Sequence, residues 1–200
     1  SLPEVVGQDH LLGPEGPIGR MVAQGRPHSI ILWGPPGTGK TTIARLLSTA
    51  FKLHFEQLSA VFSGVADLKK AFDAARMRRR MGQGTLLFVD EIHRFNRSQQ
   101  DSFLPVMEDG TVTLVGATTE NPSFELNGAL LSRAQVLVLR RLDDAALEAL
   151  LQRAEAHYGE TLPLTEDARA SLRAMADGDG RYMLNLAEEL AALKTVKPLD

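Results

Sequence analysis

Residues 34–41 read Gly-Pro-Pro-Gly-Thr-Gly-Lys-Thr, and their surroundings leave few folds open. Before them stands Ser29-Ile-Ile-Leu-Trp33, an apolar run of the right length for a buried strand. After them Ile43, Leu46, Leu47 and Ala50 recur at helical spacing. A strand, a glycine loop and a helix in that order supply the context that the pattern G-x-x-x-x-G-K-[ST] requires. Glycines let backbone N–H groups wrap phosphates at a helix N-terminus, where the helix dipole also favours an anion. Lys40 then reaches the β- and γ-phosphates, and the Thr41 hydroxyl is a Mg²⁺ ligand. The loop Gly34, Pro35, Pro36, Gly37, Thr38, Gly39, Lys40, Thr41 and Thr42 is therefore a candidate site for ATP with Mg²⁺.

Strands and helices alternate beyond the loop. Residues 54–58 fit a strand, and Val65, Leu68, Phe72 and Ala75 give a helix one apolar face. That helix ends in Arg76, Arg78, Arg79 and Arg80, before a turn at Gly82 and Gly84. Residues 85–89, 111–117 and 136–139 read as three more strands, with a helix over 98–108 that Pro105 should kink or end early. The first 27 residues are dense in Gly and Pro and leave room for one short helix over 18–24. Such alternation predicts a parallel sheet covered by helices on both faces. After Leu142 the pattern changes. Asp143-Asp144 caps a helix over 145–158 that Gly159 stops, and two further helices follow over 165–176 and 181–194. The expected organisation is an α/β domain over 1–141 and a small all-α domain over 142–200.

Composition narrows the remaining classes. With no cysteine in 200 residues, disulfides and thiolate metal sites are excluded, which fits the cytosol. The five histidines, at 10, 28, 54, 93 and 157, share no metal-ligand spacing. No apolar run approaches the roughly 20 residues of a membrane helix, and the first ten residues lack the blocks of a signal peptide. A net charge of −3 argues against a monomer that grips nucleic acid by electrostatics alone. Any such role needs a local patch or an assembly.

The second chemical element is Leu86-Leu-Phe-Val-Asp90-Glu91. Its apolar residues bury a strand whose carboxyl end presents Asp90 to the Mg²⁺ shell. Glu91 can polarise an attacking water, which points to hydrolysis and not to transfer onto a hydroxyl. Thr118 and Thr119 follow a later strand, where a hydroxyl could hold that water; the same pair could simply end the strand. Arg133, just before the last strand, reads by position alone as a surface ion-pair partner. Arg76–Arg80 fits either a solvated helix end or a DNA-facing patch. His93 and Arg94 fit either the rim of the Glu91 site or a surface loop. Trp33, Tyr182 and Met183 read as packing residues.

GPPGTGKTT, LLFVDEIHRFNRSQQDSFLPVMEDG, LVGATTENPSFELNGALLSRA and GDGRYMLNLAEEL together resemble the replication-associated recombination protein A family. These are bacterial AAA+ ATPases related to clamp-loader subunits and to the Werner-helicase-interacting ATPase. The resemblance runs from about Val6 to about Leu193, and its HRFNRSQQDSFLP and ATTENPSFELN stretches are far more specific than the phosphate loop. It implies that Val6, Gly7 and Gln8 pack on the adenine. Lys40 and Thr41 match Walker A, and Asp90 and Glu91 match Walker B. Thr119 is similar to the sensor-1 residue, with Thr118 as the alternative. Arg133 matches the arginine finger that acts on a neighbouring subunit's ATP, and Arg181 looks like the sensor-2 arginine of a helical lid.

The resemblance implies a P-loop fold of the ASCE type, a five-stranded parallel sheet with a three-helix lid. ATP and Mg²⁺ are expected at the carboxyl end of the sheet and under the lid. It further implies a cytoplasmic, nucleoid-associated ATPase that maintains replication forks. The expected partners are single-stranded DNA ends, gaps or forks, the single-stranded DNA-binding protein and further copies of itself. Family members carry an Arg-Pro ahead of the Leu-Pro-Glu-Val-Val-Gly segment and a helical oligomerisation domain beyond the lid. The chain is therefore expected to be a fragment holding the core and lid. Two rivals stand: a clamp-loader or branch-migration ATPase, and an ATP-dependent scaffold with little turnover.

Overall fold

The computed structural model describes residues 5–193. The chain folds into two compact units. The first comprises Asp9–Gly34 and Lys40–Leu139; the second comprises Pro35–Gly39 and, among the described residues, 5–8 and 140–193.

Among the described residues, the first unit is built on β1 (Ile30–Trp33), β2 (His54–Ser59), β3 (Thr85–Asp90), β4 (Val112–Thr118) and β5 (Gln135–Val138). They form one sheet in the order β2-β3-β4-β1-β5, with every pairing parallel. This is the P-loop α/β fold expected from the alternation. The order explains the composition of each strand. β3, β4 and β1 lie inside the sheet and are buried almost throughout, so they read as unbroken apolar runs. β2 and β5 lie at the sides and tolerate His54, Glu56, Gln57 and Gln135.

Helices α1 (Asp9–Leu12) and α2 (Pro17–Gln24) precede the sheet, α3 (Lys40–Ala50) follows β1, and α4 (Val65–Arg80) follows β2. α2 is the short helix expected over 18–24: Pro17 occupies its first turn, and Gly25 closes it with φ 66°, a left-handed cap that suits glycine. α4 buries Leu68, Ala71, Phe72 and Ala75. Phe72 meets Phe103 edge-on, with centroids 5.4 Å apart, inside a cluster that includes Leu87, Val89, Ile92 and Leu114. The arginines at the end of α4 are paired locally: Arg76 with Asp73 at 3.1 Å, Arg78 with Glu56 at 3.1 Å and Arg79 with Asp109 at 3.6 Å. That pairing favours the solvated helix end over a DNA-facing patch.

The helix expected over 98–108 is two helices, α5 (Arg97–Asp101) and α6 (Phe103–Glu108), broken at Ser102. Pro105 is the cause, but the break falls three residues ahead of it. Its ring would clash with the carbonyl of Asp101 and it has no N–H to donate there, so a continuous helix fails at that turn. Restarting at Phe103 puts Pro105 in the first turn of α6, where no N–H is needed. Two short helices, α7 (Pro122–Glu125) and α8 (Gly128–Leu131), lead to β5.

The second unit holds α9 (Asp144–Tyr158), α10 (Glu166–Ala176) and α11 (Gly180–Ala191). Each begins at a side-chain cap, Asp143, Thr165 and Asp179, accepting from the N–H three residues on. Gly159 ends α9 with φ 75°. The end expected for the third helix, Lys194, lies outside the described residues. Leu147, Leu151, Leu172, Met183 and Ala187 pack as the core of this unit.

One charge lies in that unit's interior. Arg169 on α10 is 9% exposed and donates to Glu155 and to Glu148, both at 2.5 Å, while Arg173 donates to Glu148. Burial pushes the Glu148 carboxyl up, but the hydrogen bonds and charges of Arg169 and Arg173 outweigh it and hold it below its ordinary 4.5. The hydrogen bond that Arg169 donates to Glu155 is the first cause holding its guanidinium more firmly protonated than usual. Removing Arg169 would strand the part-buried Glu155 carboxylate and leave Glu148 with Arg173 alone. Arg169→Ala is expected to cost about 3 kcal/mol of stability, read as a lowered midpoint in urea. The sign with pH follows from the depressed Glu148 value. Its contribution is complete above pH 4.5 and is lost as pH falls below it. The gap between wild type and Arg169→Ala should therefore narrow on acidification.

Candidate functional site

Because the strands are parallel, their carboxyl ends lie together. Trp33 of β1 pairs with Thr118 of β4, and Asp90 of β3 pairs with Ser59 of β2. The Gly34 N–H donates to the Thr118 carbonyl at 3.1 Å, so the first residue of the glycine loop is tied to the end of β4. A β-carbon at Gly34 would press on Leu139 at 2.9 Å, so glycine is needed there. Lys40 opens α3, and its Nζ donates back to the Gly34 carbonyl at 2.6 Å. Thr41 is half-buried and Thr42 exposed in the same first turn.

Asp90 ends β3, and its Oδ1 accepts the Glu91 N–H at 3.0 Å. Glu91 itself has φ 53° and ψ 43°, left-handed backbone that costs a residue with a side chain about 1 kcal/mol. A 3-10 turn over Ile92–Arg94 follows. Ile92 is fully buried against β4, where Gly116 admits it: a β-carbon at Gly116 would stand 3.0 Å from Ile92 and 2.8 Å from Ile31. His93 is turned inward. Its Nε2 lies 3.3 Å from Glu91 Oε2, its Nδ1 lies 2.8 Å from Thr118 Oγ1, and its side chain is 6% exposed. Thr118 is fully buried and its Oγ1 also accepts the Glu120 N–H at 3.1 Å. Thr119 is half-buried.

The first unit thus brings Gly34, Lys40, Thr41, Asp90, Glu91, Thr118 and Thr119 to one end of its sheet. Arg133 is not among them. Gln135 pairs with Ile30, so Arg133 stands ahead of the amino end of β5, beyond the opposite end of strands about 13 Å long. There Arg133 Nε meets Glu108 Oε1 at 2.5 Å and its Nη1 donates to the Ala129 carbonyl at 2.8 Å. It lines an open cavity of about 360 Å³ with Pro27, His28, Met107 and Thr113.

In the second unit, Pro35–Gly39 pack with the start of α11. Gly37, at φ 69°, accepts the Gly180 N–H at 2.9 Å, and a β-carbon on Gly37 would land on the Asp179 carboxylate. Thr38 is buried and donates to the Pro35 carbonyl at 2.9 Å. Gln8 is fully buried: its Nε2 donates to the carbonyls of Thr38 and Arg140, at 3.2 and 2.8 Å, and its Oε1 accepts the Arg140 N–H. Val6 packs against the core of this unit, and Gly7, at φ 78°, passes too close to Leu142 for any side chain. Gly39 takes φ 104° beside Val5. Arg181 is exposed in the first turn of α11. Pro35, Pro36, Arg141, Asp179 and Tyr182 line a second cavity of about 290 Å³.

Two residues are not singled out by the sequence: Glu108, which pairs with Arg133, and Asp179, which faces Gly37. No spacing signals either. Of the two readings of His93, the rim of the Glu91 site is the one the structure supports. For His93 the signal is a histidine two residues beyond a left-handed glutamate, which places it back over that carboxylate. The loop fits ATP on chemical grounds. Its glycines adopt conformations and close approaches that a side chain would block, as at Gly34 and Gly37, and Thr41 and Asp90 are oxygen donors of the kind Mg²⁺ takes.

Residues 30–142 match the model of the "ATPase family associated with various cellular activities (AAA)". Replication-associated recombination protein A of Escherichia coli (strain K12) is a homologue, 46% identical over 98% of this chain and 45% of its own length. The protein of that name from Haemophilus influenzae is 48% identical over 94% of this chain and 43% of its own. ATPase WRNIP1 of Dictyostelium discoideum is 44% identical over 94% of this chain and 22% of its own. The chain thus spans less than half the length of these relatives. Among solved structures, the Thermotoga maritima RuvB Holliday junction branch migration motor is similar with a TM-score of 0.74 and 26% identity, over 94% of this chain and 63% of that one.

Proposed function

This chain belongs to the AAA family of ATPases, and on that premise we propose that it binds ATP with Mg²⁺ and hydrolyses it by water attack on the γ-phosphorus. The observation that carries the reading is the meeting of Lys40, Asp90 and Glu91 with the glycine loop at the carboxyl end of one parallel sheet. Residues 1–141 act as the nucleotide-binding domain and 142–200 as its lid. Lys40 draws the phosphates of the loop Gly34–Thr42, and Val6, Gly7 and Gln8 belong to the adenine side. Thr41 and Asp90 hold Mg²⁺, which neutralises phosphate charge when bound. Glu91 accepts a proton from the attacking water and orients it. The Thr118 hydroxyl is engaged by His93 and Glu120, which leaves Thr119 as the hydroxyl that holds the water. Arg181 adds positive charge from the lid, and Arg133 acts on the ATP of a neighbouring copy.

We assign the biological work to replication-fork maintenance and recombination in the cytoplasm, at the nucleoid. The full-length protein acts as a homo-oligomer on single-stranded DNA ends, gaps or forks, with the single-stranded DNA-binding protein as partner. Identity of 46% over nearly the whole chain to replication-associated recombination protein A supports this choice. Likeness to a branch migration motor gives the second reading, a motor or clamp loader that shares the same catalytic residues. Among the described residues, no helix is long and apolar enough to cross a membrane. Phosphate release measured with and without gapped DNA tests the assignment. Turnover that rises on adding gapped DNA is expected; turnover that stays near zero with every DNA structure would mean an ATP-dependent scaffold.

A further inference from the structure

We propose that His93 is a positioning residue for hydrolysis: it sets the direction of the Glu91 carboxylate and ties it to the strand end that anchors the phosphate loop. The inference rests on the reading of Glu91 as the group that orients water. His93 has no place in that reading, yet its side chain is only 6% exposed at this end of the sheet. Its ring spans two groups. Nε2 faces the Glu91 carboxylate at 3.3 Å, and Nδ1 faces the Thr118 hydroxyl at 2.8 Å.

The donors and acceptors leave one arrangement for a neutral ring. An ionised carboxylate only accepts, so Nε2 carries the proton and donates to Glu91. Nδ1 is then an acceptor, and the Thr118 hydroxyl donates to it. The same hydroxyl can receive the Glu120 N–H on its other side, at 3.1 Å. The Glu120 carbonyl, 3.2 Å from the same hydroxyl, competes for its proton, and the imidazole has a polar partner at each end.

The backbone around Glu91 supplies the second half of the argument. A left-handed glutamate has its main chain held by the Asp90 carboxylate on one side and by buried Ile92 on the other. That fixes where the side chain starts but not where its carboxylate points, because three rotatable bonds remain. His93 removes that freedom from the far end. An enzyme that leaves a general base free to swing gives up the alignment of base, water and phosphorus, and small misplacements cost about 10²-fold in rate.

The bridge continues toward the nucleotide. Thr118 accepts the Gly34 N–H through its carbonyl, and the Gly34 carbonyl accepts from Lys40 Nζ. A chain of contacts therefore runs from Lys40 through Gly34 and Thr118 to His93, whose Nε2 faces Glu91 at 3.3 Å. When phosphate takes Lys40 away from the Gly34 carbonyl, the first residue on this path loses a partner. The base can thus respond to an occupied loop without touching the nucleotide itself.

The test separates the two ends of the ring. In His93→Gln the terminal amide stands near the place of Nε2 and can still donate to Glu91. In His93→Asn the amide reaches only the place of Nδ1, so Thr118 keeps a partner and Glu91 loses one. ATP turnover and affinity for a non-hydrolysable ATP analogue are measured for both, for His93→Ala and for Glu91→Gln, with melting temperatures. His93→Ala and His93→Asn should lose about 10²-fold in kcat with analogue affinity unchanged. His93→Gln should recover about tenfold of that loss. Adding His93→Ala to Glu91→Gln should lower kcat no further, since the carboxylate it positions is gone. Wild-type kcat in His93→Ala overturns the proposal. So does a loss that His93→Gln fails to rescue and that tracks a lowered melting temperature, because His93 would then only hold the fold. If Glu91→Gln itself turns over normally, the underlying role of Glu91 fails, and that outcome is distinct from either.

Discussion

Arg133→Ala is expected to lower the concentration-dependent turnover of ATP by about 10³–10⁵-fold, the usual worth of an arginine finger, while nucleotide affinity hardly moves. The reason is topological. Lys40 follows the carboxyl end of β1, whereas Arg133 precedes the amino end of β5, and the two strands run side by side in the same direction. On the proposed reading, an arginine beyond the far end of its own sheet serves another molecule's phosphates. In this chain its guanidinium is held by Glu108 and by the Ala129 carbonyl, and the proposal requires those bonds to yield when a neighbour docks. Specific activity of the wild type should accordingly rise with protein concentration, and Arg133→Ala should flatten the curve. Mixing Arg133→Ala with Lys40→Ala should restore activity, since one supplies an intact pocket and the other an intact finger. High, constant specific activity from nanomolar to high micromolar protein, with a monomer by light scattering, would show that Arg133 does not act in trans.

The second large effect divides binding from chemistry. Lys40→Ala should weaken ATP binding by about 10²-fold or more, because the phosphate charge loses its main partner at the loop. Glu91→Gln should leave binding intact and lower turnover by about 10²–10⁴-fold, since an amide cannot take the water's proton. Calorimetric titration with a non-hydrolysable analogue, set beside phosphate release, reads both. The geometry supports the division: Lys40 bonds the first loop residue, whereas the Glu91 carboxylate faces His93 and its backbone N–H bonds Asp90. Equal loss of affinity in the two variants would sink it.

Much of this architecture is legible in the chain because its signals are local. β1, β3 and β4 are buried on both faces and so are written as continuous apolar runs. Asp143, Thr165 and Asp179 cap helices within three residues of themselves, and Gly159 stops one by its own conformation. What the sequence hides depends on partners far along the chain. Arg169 looks like an ordinary charge on a helix until α9 supplies Glu148 and Glu155. Glu108 stands 25 residues from Arg133. His93 needs Thr118, which arrives only because β4 lies beside β3 in the sheet. The break at Ser102 is a subtler case. Pro105 announces a disruption, but only the choice between ending a helix and restarting one decides where it falls.

Gly116 gives this arrangement a consequence for how such a protein can change. It has no chemistry of its own and lies in the middle of a buried strand. Yet a methyl group there would displace Ile31 or Ile92, and Ile92 is joined directly to Glu91. Selection for turnover therefore reaches a core position that touches no nucleotide. A screen for heat resistance that replaces glycine by alanine would try Gly116→Ala, since the change stiffens the unfolded chain. At this position any such gain is set against crowding of Ile31 and Ile92, and a variant that shifted Ile92 would disturb the alignment of the glutamate and be the slower enzyme.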